Sequence, residues 1–214
     1  MKLLSWFLLA LIPVCLHAQS ASSGTVPFVL DGNRVYARVE FILPDRKPRN
    51  ALVFVDLGSP AVTLSKKLYA DLDLGSRKTL ELRIGEMDLI LESANVASDD
   101  TLPFSIGVDR KVEGVLPAGV LQNYQVRFDY AGQTMTLAQP ATLQMRGMLV
   151  PFRLNPKTGL IAIEAQIDGH TFPITVDNGS GYTWIRQAVA QKWFTRHPDW
   201  HEASARSAPA TCEW

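Results

Sequence analysis

The chain has 214 residues, enough for one or two small domains. Hydrophobic residues make up 47% and charged residues 20%, an ordinary globular balance, and 21 basic residues offset 21 acidic ones. Nothing in that balance argues for a nucleic-acid surface or a patch for anionic membranes.

In chain order, residues 1–18 read as a secretory signal peptide. Lys2 is the positive region, Leu3 to Leu16 the apolar stretch, and Ala18 the cleavage residue before Gln19. The stretch is too short for a comfortable membrane span. The expected mature protein is therefore exported, periplasmic or extracellular, without stable membrane insertion. Cleavage removes Cys15 and leaves Cys212 alone, so no intrachain disulfide is expected. Residues 19–25 read as a disordered polar lead-in.

The next stretch reads as strands. Asp31-Gly32-Asn33 is a turn, and Val35 to Phe41 alternates as a half-buried strand does. Pro44 to Asn50 is a charged turn. Leu52 to Val55 is an apolar strand that delivers Asp56 into the tight turn Asp56-Leu57-Gly58-Ser59. A helix signal follows at Ser65-Lys66-Lys67-Leu68. Leu80 to Ile84 and Met87 to Leu91 form a hairpin around Gly85-Glu86. Val112 to Leu121 and a hairpin over 125–137 complete a lobe at residues 26–139. Residues 140–148 are the linker, and 149–214 a partial second lobe.

The second lobe repeats the first. Val150-Pro151-Phe152 echoes Val26-Pro27-Phe28. Ile161 to Ile167 is a strand, Asp168-Gly169 its turn, and Phe172 to Val176 the return. That return ends in Asp177-Asn178-Gly179-Ser180, the echo of the first Asp turn. A helix period follows with Ile185, Val189 and Trp193. Leu68 and Val189 each lie 12 residues past their Asp. A unit written twice points to duplicated lobes and not to a solenoid.

Apolar-Asp-x-Gly-Ser after a strand resembles the catalytic turn of the retropepsin-like and pepsin-like aspartic proteases, here of the bacterial exported type. Glu113-Gly114-Val115-Leu116-Pro117-Ala118-Gly119 resembles that family's second element, and residues 125–137 its closing hairpin. The resemblance implies an all-β fold with short helices, a closed acid-protease-like β-barrel lobe plus a partial second lobe of the same type. It implies Asp56 and Asp177 as a catalytic pair, or Asp56 with its twin in a homodimer. Leu57, Gly58, Ser59, Asn178, Gly179 and Ser180 then form the active-site turns, and Gly85 and Glu86 the tip of a candidate flap. The chemistry is peptide-bond hydrolysis by a water between two carboxyls that share a proton, with no cofactor or metal and a peptide or protein substrate. The sequence departs from the family where Leu57 and Asn178 replace the Thr between Asp and Gly, and where Pro117 replaces a Gly.

Blander readings stand beside these. Asp56 alone is a turn-capping residue, and Gly85-Glu86 the tip of an ordinary solvent-facing hairpin. His197, His201 and Cys212 do not make a zinc site, because Pro198 breaks any helix shared by the histidines. Trp193, Phe194, Trp200 and Trp214 read as packing and chain-end residues. The alternative function is a non-catalytic exported β-domain of the same fold, serving as a peptide-binding or scaffold module.

Overall fold

The computed structural model describes residues 21–92, 96–99 and 111–200. The expected signal peptide with its cleavage edge, and His201, Cys212 and Trp214, lie outside the described residues. The chain divides into two compact units, residues 1–181 and 182–214.

The first unit opens with β1 (Ser23–Asp31) and β2 (Arg34–Ile42). Gly32 and Asn33 join them with φ of 55° and 66°. Two consecutive positive φ values suit the right-handed twist of a two-residue hairpin. β2 then pairs antiparallel with β3 (Pro48–Asp56), with Val35 opposite Val55 and Ile42 opposite Pro48. β3 begins four residues earlier than its apolar run, because pairing with β2 draws part of the charged 44–50 segment into the ladder.

β1 pairs through Ser23–Pro27 with β10 (Thr134–Ala138) and through Phe28–Asp31 with β2. β2 passes in the same way to β5 (Thr79–Ile84), where Phe41 faces Leu82. Strands that change partners part-way bend the sheet around its contents. Those contents are one core of Val35, Val53, Val55, Leu64, Leu68, Leu80, Ile84, Met87, Met135, Leu137 and their neighbours. β9 (Gln125–Asp129) closes on β10.

β3 is buried on both faces, which explains its unbroken apolar run. Ala51, Val53 and Val55 enter the main core. Leu52 and Phe54 enter a second cluster with Tyr36, Val112 and Val115. β8 (Gly114–Pro117) runs parallel to β3 and brings Pro117 level with Asp56. β4 (Val62–Ser65) joins β8 to β7 (Val96–Asp99). α1 (Lys66–Asp71) is capped by Ser65, whose Oγ accepts from the Leu68 N–H at 3.2 Å. Arg49 on β3 ties this region together, bonding Glu113 at 2.8 Å and Asp71 at 3.1 Å. Glu113, the acidic residue of the second family-like element, is thus an ion-pair partner. α2 (Ala118–Leu121) follows β8 directly.

β5 and β6 (Met87–Glu92) form the expected hairpin around Gly85-Glu86. Their alternate residues Leu80, Leu82, Ile84, Met87 and Leu89 are all buried. The turn packs on the start of β1: a Cβ on Gly85 would lie 2.5 Å from the Thr25 nitrogen. Asp31, at the other end of β1, is the residue that pairs with Arg34, next to the level of Asp56. Gly85 and Glu86 therefore sit at the far end of the strand, and this hairpin is a wall of the core. The buried side chains anchor the hairpin to the sheet.

Residues 139–151 carry no helix or strand. β11 (Phe152–Leu154), β12 (Ile161–Ile167) and β13 (His170–Thr175) then form a three-stranded antiparallel sheet. Asp168 and Gly169 turn β12 into β13 with φ of 51° and 73°. The register puts Phe152, Ile163 and Ile174 on one face and Arg153, Ala162 and Thr175 on the other. None of the strand residues of this sheet is fully buried, and Phe152 is 59% exposed.

The second unit carries α3 (Gln187–Arg196), with Trp193 buried and Trp200 stacked on His197 at 4.3 Å between ring centroids. The helix stops before Pro198, which cannot donate to its last turn. Among the described residues no helix is long and apolar enough to cross a membrane, and no group of three or more His, Cys, Asp or Glu side chains gathers as metal ligands do.

Candidate active site

Two strands end at one place. β3 delivers Asp56, and the chain leaving β13 delivers Asp177 after Val176, whose N–H still bonds Ile161. Each Asp is seated by its own turn. The Asp56 carboxylate accepts from the Gly58 N–H at 2.8 Å, and that of Asp177 from the N–H groups of Gly179 and Ser180 at 2.8 and 3.1 Å. This is the Asx geometry that the two matching turn sequences predict.

The turns face each other with close reciprocity. A Cβ on Gly58 would lie 2.5 Å from the Asp177 Cγ, and one on Gly179 would lie 2.6 Å from the Asp56 Cγ. Each glycine thus makes room for the other turn's carboxyl, and no larger residue fits. The two carboxyls are neighbours, each packed on the other turn's glycine. A hydrogen bond between two carboxyls needs a proton between them, since two carboxylates are both acceptors. Asp56 is only 8% exposed. Burial pushes its carboxyl up to about 6; the Gly58 N–H opposes the rise, and the adjacent Asp177 adds to it through its charge and its hydrogen bond.

The residues between Asp and Gly join the turns on one side. The Leu57 N–H donates to Asn178 Oδ1 at 2.8 Å. Leu57 offers no side-chain acceptor in return, and its apolar side chain packs on the main core. Asn178 Nδ2 is shielded from solvent without a hydrogen-bond partner. Pro117 lacks an N–H, and the next residue serves instead: Ala118 N–H donates to Ser59 O at 3.2 Å. Ser59 Oγ reaches Ala61 O at 3.3 Å, a bond within its own turn.

Two residues that the sequence pattern did not single out also meet the second turn, and a third backs one of them. Arg34 Nε donates to the Gly179 carbonyl at 2.9 Å. Phe54 lies beneath Gly179, with its Cζ 2.9 Å from where a Cβ would stand, and Tyr36 packs on Phe54 at 5.4 Å between ring centroids. Alternation alone marks Tyr36 and Phe54 as core. Arg34 is a charged residue after a turn, and only the β2–β3 register sets it beside Asp56.

No family model matches the chain, and no curated protein matches it. Among solved structures, a retropepsin-like aspartic protease from Rickettsia conorii is 18% identical, over 55% of this chain and 89% of that one, with a TM-score of 0.34. Basic 7S globulin from soybean, a pepsin-like fold, is 10% identical, over 83% of this chain and 70% of that one, with a TM-score of 0.51. The chain has an acid-protease-like fold. It is mostly β-sheet with short helices. The relationship is one of distant fold, and the chemistry rests on the residues of the acid-protease-like turns themselves.

Proposed function

We propose that this chain is an aspartic-type endopeptidase that hydrolyses peptide bonds with Asp56 and Asp177. The observation that carries the reading is the facing of two carboxyls, each packed on the other turn's glycine and seated on the N–H groups of its own turn. The pair holds one shared proton, which belongs to the dyad and not to either residue. A water between the carboxyls gives its proton to the dyad as its oxygen adds to the scissile carbonyl. The shared proton passes to the carbonyl oxygen, giving a tetrahedral diol. Collapse of the diol breaks the C–N bond: one diol hydroxyl returns its proton to the dyad as the C=O re-forms, and a proton goes from the dyad to the leaving amine. No metal or cofactor enters these steps. Export, proposed on the character of residues 1–18, would place the activity in the periplasm or outside the cell.

The dyad works singly protonated, so activity is expected in acid and should fall as the pH rises past about 6, where the pair loses its shared proton. The test is a peptide-library digest from acid to neutral pH with the wild type, Asp56→Asn and Asp177→Asn. Acid-favoured cleavage that disappears in both variants is expected. Cleavage that survives either substitution would overturn the mechanism. Leu57, which cannot return the turn-to-turn bond, favours a second reading as a non-catalytic peptide-binding domain. In that case Asp56→Asn would keep peptide affinity while no protein cleaves.

A further inference from the structure

Among the described residues, the Leu57 N–H bond to Asn178 Oδ1 runs directly from turn to turn. It holds the side chain of Asn178 and leaves the backbone that carries Gly179 and Ser180 to other contacts. Those two N–H groups seat the Asp177 carboxylate, so their placement sets where that carboxyl points.

The Gly179 carbonyl is held from another strand. Arg34 begins β2, the strand hydrogen-bonded alongside β3, and is level with Asp56. Its Nε reaches Gly179 O across 145 residues of sequence. Its guanidinium also hydrogen-bonds the buried Tyr36, whose ring packs on Phe54 under the same glycine. The hairpin preceding Arg34 approaches the same segment, with Gly32 O 3.4 Å from where a Cβ on Gly181 would stand. Arg34 thus joins the strand that flanks Asp56 to the turn that holds Asp177. Arg34 meets the site at the Gly179 carbonyl, so it works through the placement of that turn.

We propose that Arg34 is a positioning residue that holds the Asp177 turn against Asp56, in place of the reciprocal bond that Leu57 cannot make. The proposal rests on the endopeptidase reading for its kinetic consequence, but its structural consequence is independent of activity. Loss of the clamp leaves the carboxyls able to meet but poorly aligned, and misplacement by about an ångström lowers turnover by roughly a hundredfold. Lys retains a donor for one carbonyl and lacks the planar fork that also serves Tyr36.

The test compares wild type, Arg34→Ala and Arg34→Lys by peptide kinetics in acid and by amide hydrogen exchange. Arg34→Ala should lower kcat by about ten- to a hundredfold with little change in KM, and Arg34→Lys should recover part of it. Exchange at Gly179 and Ser180 should quicken in Arg34→Ala while Val53 to Val55 keep their protection. Unchanged exchange at Gly179 and Ser180, or an equal rise along all of β2 and β3, would overturn the assignment. If the wild type cleaves nothing, the endopeptidase reading fails and the exchange result alone decides the role of Arg34.

Discussion

Asp56→Asn should make the protein more stable at neutral pH. In the unfolded chain this carboxyl has its ordinary value of 3.8, and in the folded chain it is pushed up to about 6. Below pH ~4 both states hold the proton and the group contributes nothing. Between pH ~4 and ~6 the unfolded chain has released the proton and the folded chain still holds it, so stability falls as the pH rises. Above pH ~6 the loss is complete and amounts to about 3 kcal/mol, at ~1.4 kcal/mol for each tenfold change in proton affinity. Asn has nearly the same shape and does not ionise. Its Oδ1 can accept from the Gly58 N–H, and its Nδ2 can donate to Asp177 where the shared proton now lies. Urea unfolding from pH 3.5 to 7.5 measures the difference, and every other carboxylate away from the pair cancels between the two proteins. The variant should match wild type near pH 3.5 and exceed it by up to about 3 kcal/mol at pH 7. Parallel curves, or a variant less stable at pH 7, would refute the argument that Asp56 is buried against a second carboxyl.

Three further predictions follow from the turns. Asn178→Ala removes the acceptor of the Leu57 N–H, a bond of about 1 kcal/mol, but also the orphan Nδ2, so stability should change little while kcat falls. Asn178→Thr keeps an acceptor and removes the orphan donor, and urea unfolding should show a gain of about 1 kcal/mol. Gly58→Ala forces a methyl into the space of the Asp177 carboxyl and should cost about 1–3 kcal/mol in unfolding measurements together with loss of turnover.

Much of the fold was legible because it is local. The turns at Asp31-Gly32-Asn33 and Asp168-Gly169 need positive φ, and glycine beside Asn or Asp marks such places. β12 runs over Ile161–Ile167, the span its alternation predicts, and Ser65 caps α1 as a Ser before a Lys-Lys-Leu run suggests. What stayed hidden is non-local. The four residues of β7 form a short parallel edge with β4 and carry no periodicity. The alternation of β5 and β6 marks a hairpin, yet only the contact of Gly85 with Thr25 reveals that its tip packs on β1. The two Asp turns announce themselves by repetition, whereas Arg34, Tyr36 and Phe54 join them only through pairing register and packing across the unit.

The central claim is that Asp56 and Asp177 share a proton, and the direct measurement is carboxyl-carbon NMR titration of both residues in wild type and in Asp177→Asn. The account predicts that Asp56 titrates near 6 in the wild type and that its titration shifts when its partner is replaced, because Asp177 acts on it by charge and by hydrogen bond. An Asp56 that titrates in the ordinary carboxylate range, or whose titration ignores the substitution of Asp177, would contradict it.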